Sequence, residues 1–322
     1  MTEEFTFNKF KDKIELINSE INKTVSGEPK KLYDAARHLF KKQAGGKRIR
    51  PILLFLAHET VSGTDKGVLR SAVSTELIHT FTLIHDDLMD NDRLRRGMAS
   101  VHAAYGDTTA ILAGDLLFAK AFEICDAKIS DILAHAASEV CEGQQLDMSY
   151  EEKEVITEEE YMDMIMKKTG VLIEASTKAG AVLGCASDAE VFAMATYGRN
   201  IGIAFQIHDD ILDLIGDEKK LGKPIGSDIY EGKKTLIVVK ALEFLDRANR
   251  GELLKILNKK DNTSEEVKRA LELINNCGAM DYCINKEKEL IKIAKNEISI
   301  FKDSDAKQDL MDIADFMIKR ET

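Results

Sequence analysis

Residues 71–92 read SAVSTELIHTFTLIHDDLMDND, a run whose charge gathers at its C-terminal end. Apolar and small side chains occupy most of its circumference. A helix apolar on most sides must be covered by other helices, so a bundle is expected. Downstream, Thr157 precedes Glu160 and Ser187 precedes Glu190, each at the spacing of a capping box that satisfies free amides at a helix start. The first opens an apolar-periodic stretch from Glu158 through Met162, Ile165, Leu172 and Val182, and the second opens one from Asp188 to about Ile215, with Gly216 placed to end it. Segments 44–51 and 216–235 are glycine-bearing, basic and aperiodic, and read as loops. No stretch alternates as a strand would. The fold class expected is all-α, a large helical bundle.

Composition agrees with that reading. Only Pro29, Pro51 and Pro224 occur in 322 residues, and a proline in a helix interior costs about 3 kcal/mol. No linker or composition shift divides the chain, so 1–322 is expected to form one domain, with amphipathic helices from about 241 onward (262–276 and 285–300 among them) accessory to any chemistry. A hydrophobic fraction of 44% can fill a sizeable core, while the net charge of −11 argues against nucleic acid as a partner. The five cysteines form no CxxC pair and are expected to be free thiols serving as small core residues in a reducing compartment. Every apolar run is broken well before the ~18 residues of a membrane span, and residues 1–10 carry no apolar stretch with a cleavage site, so a cytoplasmic chain without stable membrane insertion is expected.

Two octads nearly repeat: Leu83-Ile84-His85-Asp86-Asp87-Leu88-Met89-Asp90 and Gln206-Ile207-His208-Asp209-Asp210-Ile211-Leu212-Asp213. On a helix, residues four apart lie about 40° apart around the axis and about 6 Å along it, which aligns Asp86 with Asp90 and Asp209 with Asp213. Like charges at that spacing repel, and apolar neighbours make their burial costlier. A hard divalent cation relieves this, and a sulfur-free carboxylate set favours magnesium, which shares substrate phosphates with one or two carboxylates. One DDxxD reads as a solvated acidic face; two, each on a narrow polar stripe of an apolar helix, point to a lined cavity. His85 and His208 are expected to pack or support, because the further ligands of an HD phosphohydrolase are not to be found.

Basic segments supply the counter-charge that a polyphosphate needs. Gly45-Gly46-Lys47-Arg48-Ile49-Arg50-Pro51 sets glycines before a helix start, with Lys47 and Arg50 three apart and hence on one side. Arg95-Arg96-Gly97 follows the first acidic cluster directly, and Lys223, Lys233 and Lys234 lie among glycines after the second. Lys168 and Thr169 sit within an apolar stretch where Gly170 would allow close approach.

In that order GGKRIRP, LIHDDLMDNDRLRRG, Lys168-Thr169, FQIHDDILD and GKPIGSDIYEGKKT resemble the trans-isoprenyl diphosphate synthase family, over about residues 8–240. The resemblance implies a many-helix bundle around a deep cavity, usually a homodimer, with the two aspartate motifs facing each other at its mouth. It implies that several magnesium ions are bound, directly by Asp86, Asp90 and Asp209 and with support from Asp87, Asp210 and Asp213. It places an allylic diphosphate against Arg95, Lys168, Lys223 and Lys233, and isopentenyl diphosphate against Lys47, Arg50, His79 and Arg96, with Thr169 and Gln206 facing the reacting carbons. The implied chemistry is ionisation of the allylic diphosphate followed by attack of the isopentenyl double bond. Phe81 and Thr82 occupy the positions that set chain length, an arrangement similar to archaeal geranylgeranyl synthases, with farnesyl as the other product. A terpene cyclase would carry a different second motif and no second diphosphate site, and a non-catalytic partner subunit would carry eroded acidic motifs.

Overall fold

The computed structural model describes residues 8–41, 46–216, 225–259 and 261–319. Leu69–Met89 forms the expected helix, and from Ser71 to Thr82 every side chain but His79 is buried. Its polar residues survive burial because their hydroxyls bond backward: Ser74 to the Ser71 carbonyl at 2.6 Å, Thr75 to Ala72 and Thr82 to His79 at 2.8 Å each. Leu77, Ile78 and Ile84 are fully enclosed, each burial contributing about 1.5–3 kcal/mol. The helices Lys11–Thr24, Ile49–Ser62, Val101–Tyr105 and Asp107–Ile124 pack around it.

The described chain groups into two units. The first comprises Met1–Ser138, Leu172–Gly198 and Glu297–Ile313, and contains the Leu69–Met89 helix and its neighbours. Within it Val171–Leu183 crosses Ile49–Ser62 at Gly180, where an added Cβ would come 2.4 Å from the Leu54 carbonyl oxygen and 2.8 Å from the Ala57 Cβ. Thr177 seals a second close crossing by donating to the Met194 carbonyl at 2.7 Å.

The second unit comprises Glu139–Val171, Arg199–Asn296 and Ala314–Thr322. Its innermost helix, Leu236–Phe244, is buried from Leu236 to Leu242 and packs against Glu158–Ile165, Arg247–Leu257 and Ser264–Asn276. Lys240 tolerates that position through ion pairs to Glu158 at 2.6 Å and Glu243 at 2.7 Å.

The capping boxes at Thr157–Glu160 and Ser187–Glu190 form as expected, and a third occurs at Thr263–Glu266. Asp188–Ile215 has the expected bounds. Three expectations are corrected. The segments read as loops contain helix, since Ile49–Ser62 begins before Pro51 and Ser227–Glu231 forms a short turn of helix. A two-residue antiparallel hairpin, Leu94–Arg95 against Met98–Ala99, turns through Arg96 (φ 52°) and Gly97 (φ 75°), the left-handed pair that a tight hairpin requires. All five cysteines are free, but only Cys283 is buried; Cys141 and Cys185 are exposed. No helix among the described residues is long and apolar enough to cross a membrane.

Two glycines separate packing from propensity. Gly180→Ala should destabilise by about 1–3 kcal/mol, because backbone stands where the methyl group must go. Gly251→Ala, inside Arg247–Leu257 with open space around it, should stabilise by about 0.5–1 kcal/mol. Urea unfolding of the two variants should move the midpoint in opposite directions; movement in the same direction contradicts the packing assignment.

Candidate active site

The first unit gathers guanidinium groups around one imidazole. Arg48, Glu76, His79, Leu83, Arg95 and Arg96 line a small, narrow cavity. Arg48 adopts a left-handed conformation (φ 56°) immediately before Ile49–Ser62, and its side chain runs inward. There it donates from Nη1 to Glu76 Oε1 and from Nε to Asn18 Oδ1, both at 2.9 Å, and lies 5.4 Å from the centre of the Phe40 ring. Arg48 and Glu76 are 5% exposed, so each cancels a charge the other could not bury alone. Gly46 makes room: a Cβ there would come 2.3 Å from Arg48 Nη1 and 3.2 Å from Arg96 Nη1.

Arg50 keeps its Nε buried without a hydrogen-bond acceptor, and desolvation, opposed by Glu76 and reinforced by Arg96, lowers its pKa to about 10. His79 is held well below the ordinary histidine value by burial and then by Arg50, Arg96, Arg95 and Arg48. A neutral imidazole among four guanidiniums leaves an excess of positive charge suited to an anion. Lys47 precedes the helix, so the shared helical face expected for Lys47 and Arg50 does not apply; Lys47 is half-buried in the segment leading to Arg48.

At the end of Leu69–Met89 the three aspartates differ. Asp86 is half-buried, Asp90 exposed and Asp87 fully buried. Asp87 Oδ1 accepts from Arg95 Nε at 2.5 Å, while its Oδ2 is buried without a partner. Burial raises its pKa and Arg95 opposes the rise. The hairpin therefore gives Arg95 to Asp87 and turns Arg96 toward the cavity. Phe81 packs edge-on against Phe118, with centroids 5.1 Å apart, and against His85 at 5.6 Å. Thr82 is buried on its backward hydrogen bond. His85 bonds the Ile111 carbonyl at 3.2 Å, close over Gly114.

The second unit holds an open cleft of about 600 Å³, with Lys168, Thr169, Gln206, Asp210, Asp228 and Lys233 among its lining residues. Lys168 and Thr169 lie on a π-helical turn, Met166–Gly170, between the α-helices Glu158–Ile165 and Val171–Leu183. Such a turn inserts one residue and re-aims the side chains it carries. Gly143, rather than the expected Gly170, permits the close approach, since a Cβ on Gly143 would stand 2.3 Å from the Lys168 backbone nitrogen. Lys168 pairs with Asp147; Lys233 pairs with Glu231 at 2.6 Å and lies 3.8 Å from Asp228. Burial works against the Lys233 charge, yet Asp228, Glu231 and Asp147 raise its pKa.

Thr169 Oγ1 donates to Gln206 Oε1 at 2.9 Å, Gln206 Nε2 to Asp210 Oδ1 at 3.0 Å, and the Tyr161 hydroxyl to Asp210 Oδ2 at 2.5 Å. Burial, then the charge of Asp228, raises the Asp210 pKa well above the carboxylate range; Tyr161 and Gln206 work against the rise, and Asp209 adds to it. Asp213 serves the loop, accepting from Ser227 Oγ and, at 3.1 Å, from the Asp228 amide. Asp209 is half-buried. His208 pairs with buried Glu287 at 3.0 Å. Lys223 lies outside the described residues.

Of the residues singled out from sequence, the structure places His79, Arg95, Arg96, Lys168, Thr169, Gln206 and Lys233 at the two cavities and Arg50 close to His79; Arg48, Glu76, Asp147, Tyr161 and Asp228 were not singled out. Glu76 had a signal, being the one carboxylate in the apolar part of residues 71–85. Among the described residues no three His, Cys, Asp or Glu side chains converge as a ready metal cage. Magnesium needs only one or two carboxylates when phosphates supply further oxygens, and the oxygen-only donors here, with repulsion concentrated on Asp210, fit such an ion.

Comparison with known proteins agrees with this chemistry. The polyprenyl synthetase family model matches residues 29–274. The chain is 46% identical over 316 residues to a short chain isoprenyl diphosphate synthase of Methanothermobacter thermautotrophicus, covering 95% of this chain and 96% of that one. It is 46% identical over 302 residues to a geranylgeranyl diphosphate synthase of Methanosarcina mazei, covering 91% of each. The crystal structure of a geranylgeranyl pyrophosphate synthetase from Pyrococcus horikoshii superposes with a TM-score of 0.93 at 44% identity, covering 99% of both chains. With relatives this similar along nearly its whole length, the chain belongs to the polyprenyl synthetase family.

Proposed function

We propose that this protein is a short-chain prenyltransferase, condensing isopentenyl diphosphate with dimethylallyl, geranyl or farnesyl diphosphate to give geranylgeranyl or farnesyl diphosphate and free diphosphate. The observation that carries the reading is the cluster of Arg48, Arg50, Arg95 and Arg96 around a neutral His79, an anion pocket in a chain of net charge −11. Isopentenyl diphosphate is assigned to Lys47, Arg50, His79 and Arg96, and the allylic diphosphate to Arg95, Lys168, Lys223 and Lys233.

Asp86, Asp90 and Asp209 are the proposed direct magnesium ligands, with Asp87, Asp210 and Asp213 holding neighbouring groups in place. Bound magnesium would offset the charge that grows on the departing diphosphate. The lysines add fixed positive charge from their carboxylate-paired positions, so they need little reorganisation as the carbon to oxygen bond breaks. Thr169 and Gln206 present oxygens to the cationic carbon. The isopentenyl double bond then attacks it, and a proton leaves to the released diphosphate, so no side-chain nucleophile is required. A cytoplasmic homodimer is the proposed form; Ile111, Leu112 and Phe118 of Asp107–Ile124 give that helix an exposed apolar side for a second copy to cover.

Incubation with labelled isopentenyl diphosphate and each allylic primer should give elongated products with magnesium and none with chelator. Absence of elongation with every primer would refute the catalytic reading. Arg50→Ala should raise the KM for isopentenyl diphosphate at least about tenfold, with a smaller effect on the allylic substrate. Phe81 is the proposed floor of the chain-length pocket, backed by Phe118, so Phe81→Ala should shift the product by one or more isopentenyl units. Sizing the dephosphorylated products checks this, and an unchanged distribution rejects the assignment.

A further inference from the structure

The relay from Tyr161 to Thr169 has a direction fixed by the chemistry of its members. The Tyr161 hydroxyl donates to Asp210 Oδ2 at 2.5 Å. Gln206 stands one helical turn before Asp210 on Asp188–Ile215 and gives its amide hydrogens to Oδ1. With its NH₂ end committed to the carboxylate, the other end of the amide is an acceptor. Thr169 then donates to it, which commits its hydroxyl proton to Gln206. Its oxygen, which lines the cleft, keeps lone pairs free to accept, the polarity that stabilises a cation. Tyr161 is 1% exposed, has no direct part in the chemistry proposed above, and reaches Thr169 only through the two intervening groups.

We infer that Tyr161 is a positioning residue for prenyl transfer: by clamping Asp210 it fixes the amide of Gln206 and thereby the orientation of the Thr169 hydroxyl. This role rests on the prenyltransferase reading. Without the phenol, Asp210 is free to rotate, and the amide of Gln206 that it anchors loses its fixed position. The Thr169 hydroxyl then loses its fixed acceptor and is free to turn its proton into the cleft. The positive end of that dipole then opposes the developing allylic cation. The loss falls on the ionisation step, while the groups that grip the two diphosphates are untouched.

The test is a double-mutant cycle on the intact enzyme, using magnesium, isopentenyl diphosphate and the best allylic primer. Tyr161→Phe fills the same space and removes one oxygen. It should lower kcat about tenfold, less than the 10²–10³ lost when a directly stabilising group is deleted, and leave both substrate KM values within about twofold. Thr169→Val removes the end of the relay. In that background Tyr161→Phe should change kcat by less than about twofold, because the two substitutions break one chain of contacts. Melting curves accompany each variant, and an unfolding shift with equal kcat losses in both backgrounds marks a structural role and overturns the inference. So does an unchanged kcat in Tyr161→Phe, or full activity in Thr169→Val while the wild type elongates normally. A wild type that forms no elongated product brings down the prenyltransferase reading itself and this role with it.

Discussion

A buried guanidinium is stable only where a carboxylate is brought to it, and the pair Arg48–Glu76 meets that condition inside the first unit. Glu76 sits on the most enclosed helix of the unit, and Arg48 reaches it from a left-handed residue at the start of another. The pair ties the two helices together where the cavity begins. It also explains why one more arginine can stand nearby: Glu76 raises the Arg50 pKa against desolvation, so the guanidinium keeps its proton with a buried Nε left unpaired. His79 has no such counterpart and stays neutral. The result is a rigid positive pocket whose framework exists before any anion enters, which is how preorganised sites avoid reorganisation on binding.

The second unit solves the opposite problem. Its cleft collects Asp147, Asp210 and Asp228, and the lysines it offers are already paired, Lys168 with Asp147 and Lys233 with Glu231. Those pairs fix two flexible side chains where a diphosphate would meet them. The π turn serves the same end. A regular helix through Met166–Gly170 would rotate Lys168 and Thr169 by the angle of one residue, and the close passage of Gly143 marks how little room the inserted residue has.

Much of this was legible from residues 71–92 and the two octads, because those features are local: caps, periodicity and carboxylates at i, i+4 need no knowledge of the tertiary neighbour. Helix Asp188–Ile215 was bounded correctly from Ser187, Glu190 and Gly216 alone. What stayed hidden depends on partners distant in sequence. Tyr161 meets Asp210 across 49 positions and Arg48 meets Glu76 across 28, so neither link leaves a mark in a helical period. The hairpin at Arg95 escaped because two-residue strands carry no alternation to read, though Arg96-Gly97 had the composition of its turn. Residue type suggests the core for Cys141 and Cys185, but Cys141 stands on an exposed face of Ser130–Glu151 and Cys185 in the turn after Val171–Leu183.

The near-identity of the two octads conceals a physical difference that decides how each behaves. In both, the second aspartate of the pair points inward: Asp87 is 0% exposed and Asp210 is 6%. Asp87 receives a charged donor, Arg95, which offsets its burial with a charge-assisted bond. Asp210 receives two neutral donors, Tyr161 and Gln206, and is faced by the charges of Asp228 and Asp209. Neutral donors orient a carboxylate without cancelling it. Asp87 thus meets a cationic donor, while Asp210 meets neutral donors beside like charges. Two segments that read alike are made unlike by one hairpin and one tyrosine.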